Sequence, residues 1–183
     1  MPLAIGQTTF NLFPDNAEPG QIADLAYSEV TSFVAAEAIN PGRVVQIASD
    51  GLSVQQLQLS SSSTVTGALG ISVLRSARES SGSYGVTAYG IGGLAYQAGE
   101  TVPVLLRGRV YAEWKGTTQP AFGVPNVYAS STTATDRGKL TDAAASAVAG
   151  SEVATGIHGI QSRQAEAGTS SYILVDVNLP GAA

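Results

Sequence analysis

The sequence predicts an all-β protein: a compact β-barrel or β-sandwich with an extended N-terminal arm and at most one short helix. Three observations carry this. Residues 101–115 place Val102, Val104, Leu106, Gly108, Val110, Ala112 and Trp114 at every even position, with Thr101, Arg107, Arg109, Glu113 and Lys115 among the odd ones. Successive strand side chains point to opposite faces, so this alternation describes one buried face and one wet face. Ile173, Val175, Val177 and Leu179 repeat the period of two near the C-terminus. Charged residues make up only 13% of the chain while Gly alone supplies 21 positions, a composition suited to short strands and tight turns.

Fully extended, 101–115 would reach about 45 Å at ~3.3 Å per residue, well beyond the usual strand. It is therefore expected to bend or change sheet at Gly108, where the missing Cβ permits a kink or bulge. A strand this long ties two sheets together or runs around a small barrel. Trp114, on the apolar face, reads as core, and truncating it would cost about 3–5 kcal/mol. Arg107 and Arg109, opposite it with Tyr111 and Glu113, read as interface or salt-bridge residues.

Residues 1–20 carry Phe10, Leu12 and Phe13 among Pro14, Pro19 and Gly20, which break any helix. Two Phe side chains on a free tail are a liability, so this segment is expected to dock. Ile22, Leu25, Ala26, Glu29 and Val30 fit a helical stripe, but Gly20 before them and Thr31-Ser32-Phe33-Val34 after them favour extended chain. The arm is assigned to residues 1–33 and the β domain to 34–183.

Within the domain, 38–42 reads as a turn, 43–48 as a strand and Ser49-Asp50-Gly51 as a hairpin turn. Leu52 and Val54 share one parity while Leu57 and Leu59 share the other, which a bulge near Gln55-Gln56 would reconcile. A polar loop at 60–64 precedes a strand with Leu69, Ile71 and Val73 on one face. Residues 75–83 form an exposed loop, 84–91 a strand, Gly92-Gly93 a turn and 94–96 a short strand before the central one. After a turn at 115–120, 124–129 is a strand ending in a polar tip at 130–138, with Lys139-Leu140 pairing back. Residues 142–149 are the one candidate helix, which Asp142 could cap and Gly150 could stop. Strands at 153–160 and 172–179 finish the chain. An internal echo links Pro41-Gly42-Arg43-Val44-Val45, Asp50-Gly51 and 67–71 with 122–128, Arg137-Gly138 and 155–160. Two related hairpin units flanking a long central strand suit a compact barrel or sandwich.

Charge is unevenly placed. Residues 1–42 hold Asp15, Glu18, Asp24, Glu29 and Glu37 and no base, and elsewhere acids and bases cancel, so the net charge of −5 resides in this segment. An acidic balance argues against nucleic acid, whose phosphates need a Lys/Arg footprint. It suits docking to a basic protein surface. Absent cysteine removes disulfides, thiolate chemistry and Cys-type zinc sites. No run approaches the ~18–20 apolar residues of a membrane span. The first base is Arg43, so no basic signal-peptide region is expected and the protein reads as soluble.

Catalytic patterns are not found. His158 is the sole histidine, no Gly-x-Ser-x-Gly elbow accompanies it, and a lone His between Ile157 and Gly159 reads as structural or exposed. Gly90-Ile91-Gly92-Gly93-Leu94-Ala95 matches Gly-x-Gly-x-x-Ala only superficially, because a dinucleotide fingerprint needs a helix behind it. Scattered carboxylates offer no calcium loop, and one His cannot make a multi-His metal site. No catalytic residue, metal or cofactor is therefore expected. Exposed, coplanar tyrosines would instead indicate a carbohydrate-binding β-sandwich, the alternative reading, with a jelly-roll enzyme a weaker third.

Residues 34–45, 67–71, 98–110 and Pro19-Gly20-Gln21-Ile22-Ala23-Asp24 resemble the capsid cement, or head decoration, proteins of tailed phages. The resemblance covers roughly residues 19–160 and rests on pattern rather than on an invariant signature. It implies a small β protein that binds the outer surface of the virion head, contacts the major capsid protein and acts as a homo-oligomer. A homotrimer is favoured, a dimer is possible, and synthesis is in the host cytoplasm. Neither nucleic acid nor membrane is an expected partner. Phe10, Leu12, Phe13, Asp15, Glu18, Asp24, Arg107 and Arg109 are the candidate capsid or oligomer contacts.

Overall fold

The computed structural model describes residues 19–57, 68–74, 95–115, 125–129, 136–141, 151–163 and 171–178. The expected strand at 84–91, the loops at 60–64 and 75–83, the candidate helix at 142–149, Leu59 and Leu179 lie outside these residues. The described strands are β1 (Ile22–Ala35), β2 (Val44–Ile47), β3 (Ser53–Gln56), β4 (Gly70–Ser72), β5 (Thr101–Trp114), β6 (Pro125–Ala129), β7 (Lys139–Thr141), β8 (Ser151–Arg163) and β9 (Ser171–Asn178). No helix occurs among the described residues, and the fold is all-β.

The strands form one sheet in the order β1-β3-β2-β4-β5-β7-β6-β8-β9, which additional β1–β5 and β5–β9 pairings close twice. The result is two five-stranded rings sharing β5. The echo seen in the sequence is a repeat of topology. Parallel β1–β3 corresponds to parallel β5–β7, and antiparallel β2–β3, β2–β4, β4–β5 and β1–β5 correspond to β6–β7, β6–β8, β8–β9 and β5–β9. Strand β5 is thus the last strand of one unit and the first of the next. β1 runs across the assigned 33/34 boundary, and residues 29–34 pair with 101–107.

Strand β5 serves two cores. Val102 and Val104 join Ala35, Ile39, Val45, Val54, Leu69 and Tyr96, whereas Leu105, Val110, Ala112 and Trp114 join a larger cluster with Val44, Ile71, Ile157, Ile173 and Val175. The strict even-position pattern breaks at Leu105, which is fully buried, while Leu106 is half-buried. The strand changes its buried side just before Gly108. Gly108 has φ 127°, and a Cβ there would stand 3.1 Å from the Ser28 Cα and 3.2 Å from the Tyr27 carbonyl oxygen. β1 slips in register between Asp24 and Glu29, so its backbone bulges over this glycine. A side chain at 108 would push the bulge away.

Three sequence expectations are corrected here. No bulge falls at Gln55-Gln56: Val45↔Gln56, Gln46↔Gln55 and Ile47↔Val54 are in continuous register. The conflicting parities arise because β2 and β3 lie between the two cores, so Val54 faces one and Leu57 the other. Leu69 belongs to one core and Ile71 and Val73 to the other, because Leu69 precedes β4 and the strand's period of two does not extend to it. Leu52, grouped with Val54 on a buried face, is instead exposed at the hairpin tip, where Asp50 Oδ1 accepts hydrogen bonds from the Leu52 and Ser53 N–H groups.

The rings are fastened where the β6–β7 hairpin meets β2. Val44 N–H donates to the Gly138 carbonyl at 2.8 Å, and Arg43 Nη1 donates to the Arg137 carbonyl at 2.6 Å. Gly138 has φ 72°, and a Cβ there would come within 2.6 Å of the Val44 carbonyl oxygen. Arg43 Nη2 pairs with Glu113 at 2.7 Å, their side chains 4% and 14% exposed. Lys139 reaches Glu113 at 3.7 Å, and Lys115 donates to Asp136 at 2.7 Å. Burial raises the Asp136 pKa, but the Lys115 hydrogen bond and the charges of Lys115 and Lys139 outweigh it and hold that carboxyl below its ordinary range.

Candidate functional site

Of the expected contact residues, Phe10, Leu12, Phe13, Asp15 and Glu18 lie outside the described residues. The fold brings Asp24, Arg107 and Arg109 together. The displaced β1 backbone leaves an open groove of about 560 Å³ lined by Asp24, Tyr27, Arg107, Arg109 and Asp176. Both arginines are exposed, as their odd positions on β5 require. Arg109 stands in register between Asp24 on β1 and Asp176 on β9, and Arg107 between Glu29 and Asn178. Bases and acids alternate across this face, so it presents matched opposite charges instead of a single-sign patch. Such a surface selects orientation and partner more than it adds affinity.

A second feature was missed by the sequence reading. Among the described residues the exposed large apolar side chains are Tyr27 (79%), Val30 (41%), Val34 (49%) and Leu52 (82%). Three are on β1. Leu52 directly precedes Ser53, the register partner of Val34. Exposed apolar groups scattered singly are ordinary, but a row of them along one strand and its neighbouring hairpin tip marks a contact surface. Their signal in the sequence was faint: Val30 and Val34 read as ordinary strand residues, and an apolar residue directly after an Asp-Gly turn was the one irregularity.

The described aromatics do not make a flat sugar platform. Tyr96, Trp114 and Tyr172 are buried, and Tyr111 meets Tyr172 edge-on, the rings 6.0 Å apart at 88°. Among the described residues no three His, Asp or Glu side chains converge as metal ligands. His158 is half-buried on β8, in register with Asp176, and its Nδ1 has no hydrogen-bond partner.

Residues 6–178 match the family model described as "Structural cement protein (E217 gp24/Pam3 gp6)". The chain belongs to the phage structural cement proteins. This cement protein is a capsid-associated structural component of a virion, consistent with a site made of contact surfaces. A chain of the solved structure "The capsid of Myoviridae Phage XM1" shares its fold at a TM-score of 0.66 and 18% identity, over 96% of this chain and 98% of that one. A search of curated proteins gives no match.

Proposed function

We propose that this cement protein binds the outer surface of the head, contacts the major capsid protein without covalent bonds and acts as a homo-oligomer, a trimer before a dimer. The observation that carries the reading is the exposure of Tyr27, Val30 and Val34 on β1 and of Leu52 at the neighbouring hairpin tip, with Tyr27 also lining the mixed-charge groove of Arg107 and Arg109. A closed double ring with exposed apolar contacts is what a lattice reinforcement needs. A modest contact repeated at many equivalent positions, and across each oligomer, gains through multivalency what one contact lacks. Of the N-terminal segment 1–33, the part before β1, with Phe10, Leu12, Phe13, Asp15 and Glu18, extends the grip beyond the ring, while Asp24 joins it from β1. Made in the host cytoplasm, the protein joins the head there.

Purified protein added to undecorated heads should bind at saturable stoichiometry and raise the temperature at which the heads release DNA. Removing residues 2–18 should leave the rings folded and lower occupancy at limiting protein concentration. Heads that neither bind the protein nor gain heat resistance would refute the reading.

A further inference from the structure

We propose that the outer edge of β1 receives residues 8–13 of a neighbouring copy as an added strand. Ala35 N–H donates to the Glu100 carbonyl on β5's side, whereas Ala36 N–H donates to the Val54 carbonyl on the other side, both at 2.8 Å. Backbone groups alternate sides along a strand, so even-numbered residues in this part of β1 direct theirs away from β5. β3 covers that outer side only at Val34 and Ala35. Before it, Val30 and Ser32 have no partner strand on that side among the described residues. The exposed side chains of Val30 and Val34 border this edge, with Leu52 at its end. Open backbone groups beside exposed apolar side chains form a template for an extended segment.

The leader contains a segment of matching chemistry. Thr8-Thr9-Phe10-Asn11-Leu12-Phe13 is uncharged and rich in strand-favouring residues. Phe10 and Leu12 share one face of a strand and Asn11 the other. With Phe10 and Leu12 on the face of Val30 and Val34, Asn11 falls on the face of Thr31.

The donor is a neighbour because the leader of the same chain starts in an unsuitable place. Gly20 N–H donates to the Tyr111 carbonyl at 2.6 Å, and the Gly20 carbonyl accepts from Leu74 N–H at 2.8 Å. Val30 stands opposite Leu105, further along β5. That separation is about 20 Å, most of the ~23–25 Å that the seven steps from Phe13 to Gly20 reach when extended, with little left to cross to the outer edge of β1. A hairpin would also have to start at Gly20, where Pro41 and Leu74 already crowd the backbone. A neighbour's leader has neither constraint.

The inference rests on the cement reading for bringing copies side by side, and its test separates the two. The chain has no cysteine, so Asn11→Cys and Thr31→Cys each introduce a unique thiol. Equal amounts of the two single variants are bound to heads and treated with a short bis-maleimide, with occupancy measured on the same sample. A dimer-sized product requiring both variants is expected, reduced at least tenfold when the Asn11→Cys copy also carries Phe10→Ser and Leu12→Ser. No product above that of either variant alone, at normal occupancy, overturns the strand exchange and leaves the cement reading intact. A doubly substituted chain diluted into wild type that cross-links only within itself overturns it too. Should the variants and wild type alike fail to bind heads, the cement reading falls, and the same cross-link in concentrated solution decides the strand exchange.

Discussion

Removing the Glu113 carboxylate tests whether the fastening between the rings is electrostatic. Arg43 is almost fully buried, and Glu113 is its 2.7 Å ionic partner. The other contacts of its guanidinium are neutral, the Arg137 carbonyl at 2.6 Å and Gln56 Oε1 at 3.3 Å, and Nε has no partner. Glu113→Leu would therefore leave a buried cation without a counter-ion, a loss of about 3–5 kcal/mol. In a chain of this length that corresponds to a fall in Tm of about 10 °C. Arg43→Met removes the cation but leaves Glu113 with Lys139, 3.7 Å away, so its cost should be smaller. Arg43→Met/Glu113→Leu should be well above the sum of the two losses, because an apolar pair replaces a desolvated ion pair. Urea denaturation of the four proteins measures this cycle. Strictly additive losses, or a Glu113→Leu protein as stable as wild type, would refute the reasoning.

Gly108→Ala should cost about 1–3 kcal/mol, because an ordinary side chain is strained at its φ and its Cβ meets β1; thermal melts check this. Trp114→Ala should cost about 3–5 kcal/mol by denaturant titration, since it empties a buried position in the larger core. Asp136 has a depressed pKa in the folded state, so its stabilising contribution is present above the ordinary carboxylate range and lost as pH falls through the folded value. Below about pH 4, wild type should therefore lose stability more steeply than Asp136→Asn; parallel stability profiles would remove that residue from the acid response.

What could be read from the sequence was what local period encodes. The long strand, its disruption near Gly108, the buried Trp114 and the outward Arg107 and Arg109 all follow from alternation along one segment. The repeat was visible because the hairpin units carry similar turn and strand patterns. Parity failed at Val54 and Leu57, since they face two cores drawn from distant parts of the chain, and at Leu52 because it sits at the exposed hairpin tip before β3. Arg43 reads only as the first residue of a strand, and its burial beside Glu113 depends on the closed ring that brings the two together. The contact row on β1 was hidden for a related reason: Val30 has the residue type of a core strand, and which face stays uncovered is decided by neighbours far away in sequence.

Because β5 finishes one ring and begins the other, the protein cannot be divided into two separately folding pieces. A cut within residues 101–114 would open both rings at once, and a fragment on either side would hold four strands of a five-strand closure. Heat and denaturant should accordingly meet one cooperative unit with a single transition. New chain ends would be better tolerated at the exposed β2–β3 turn, residues 49–51, away from the strand the two halves have in common.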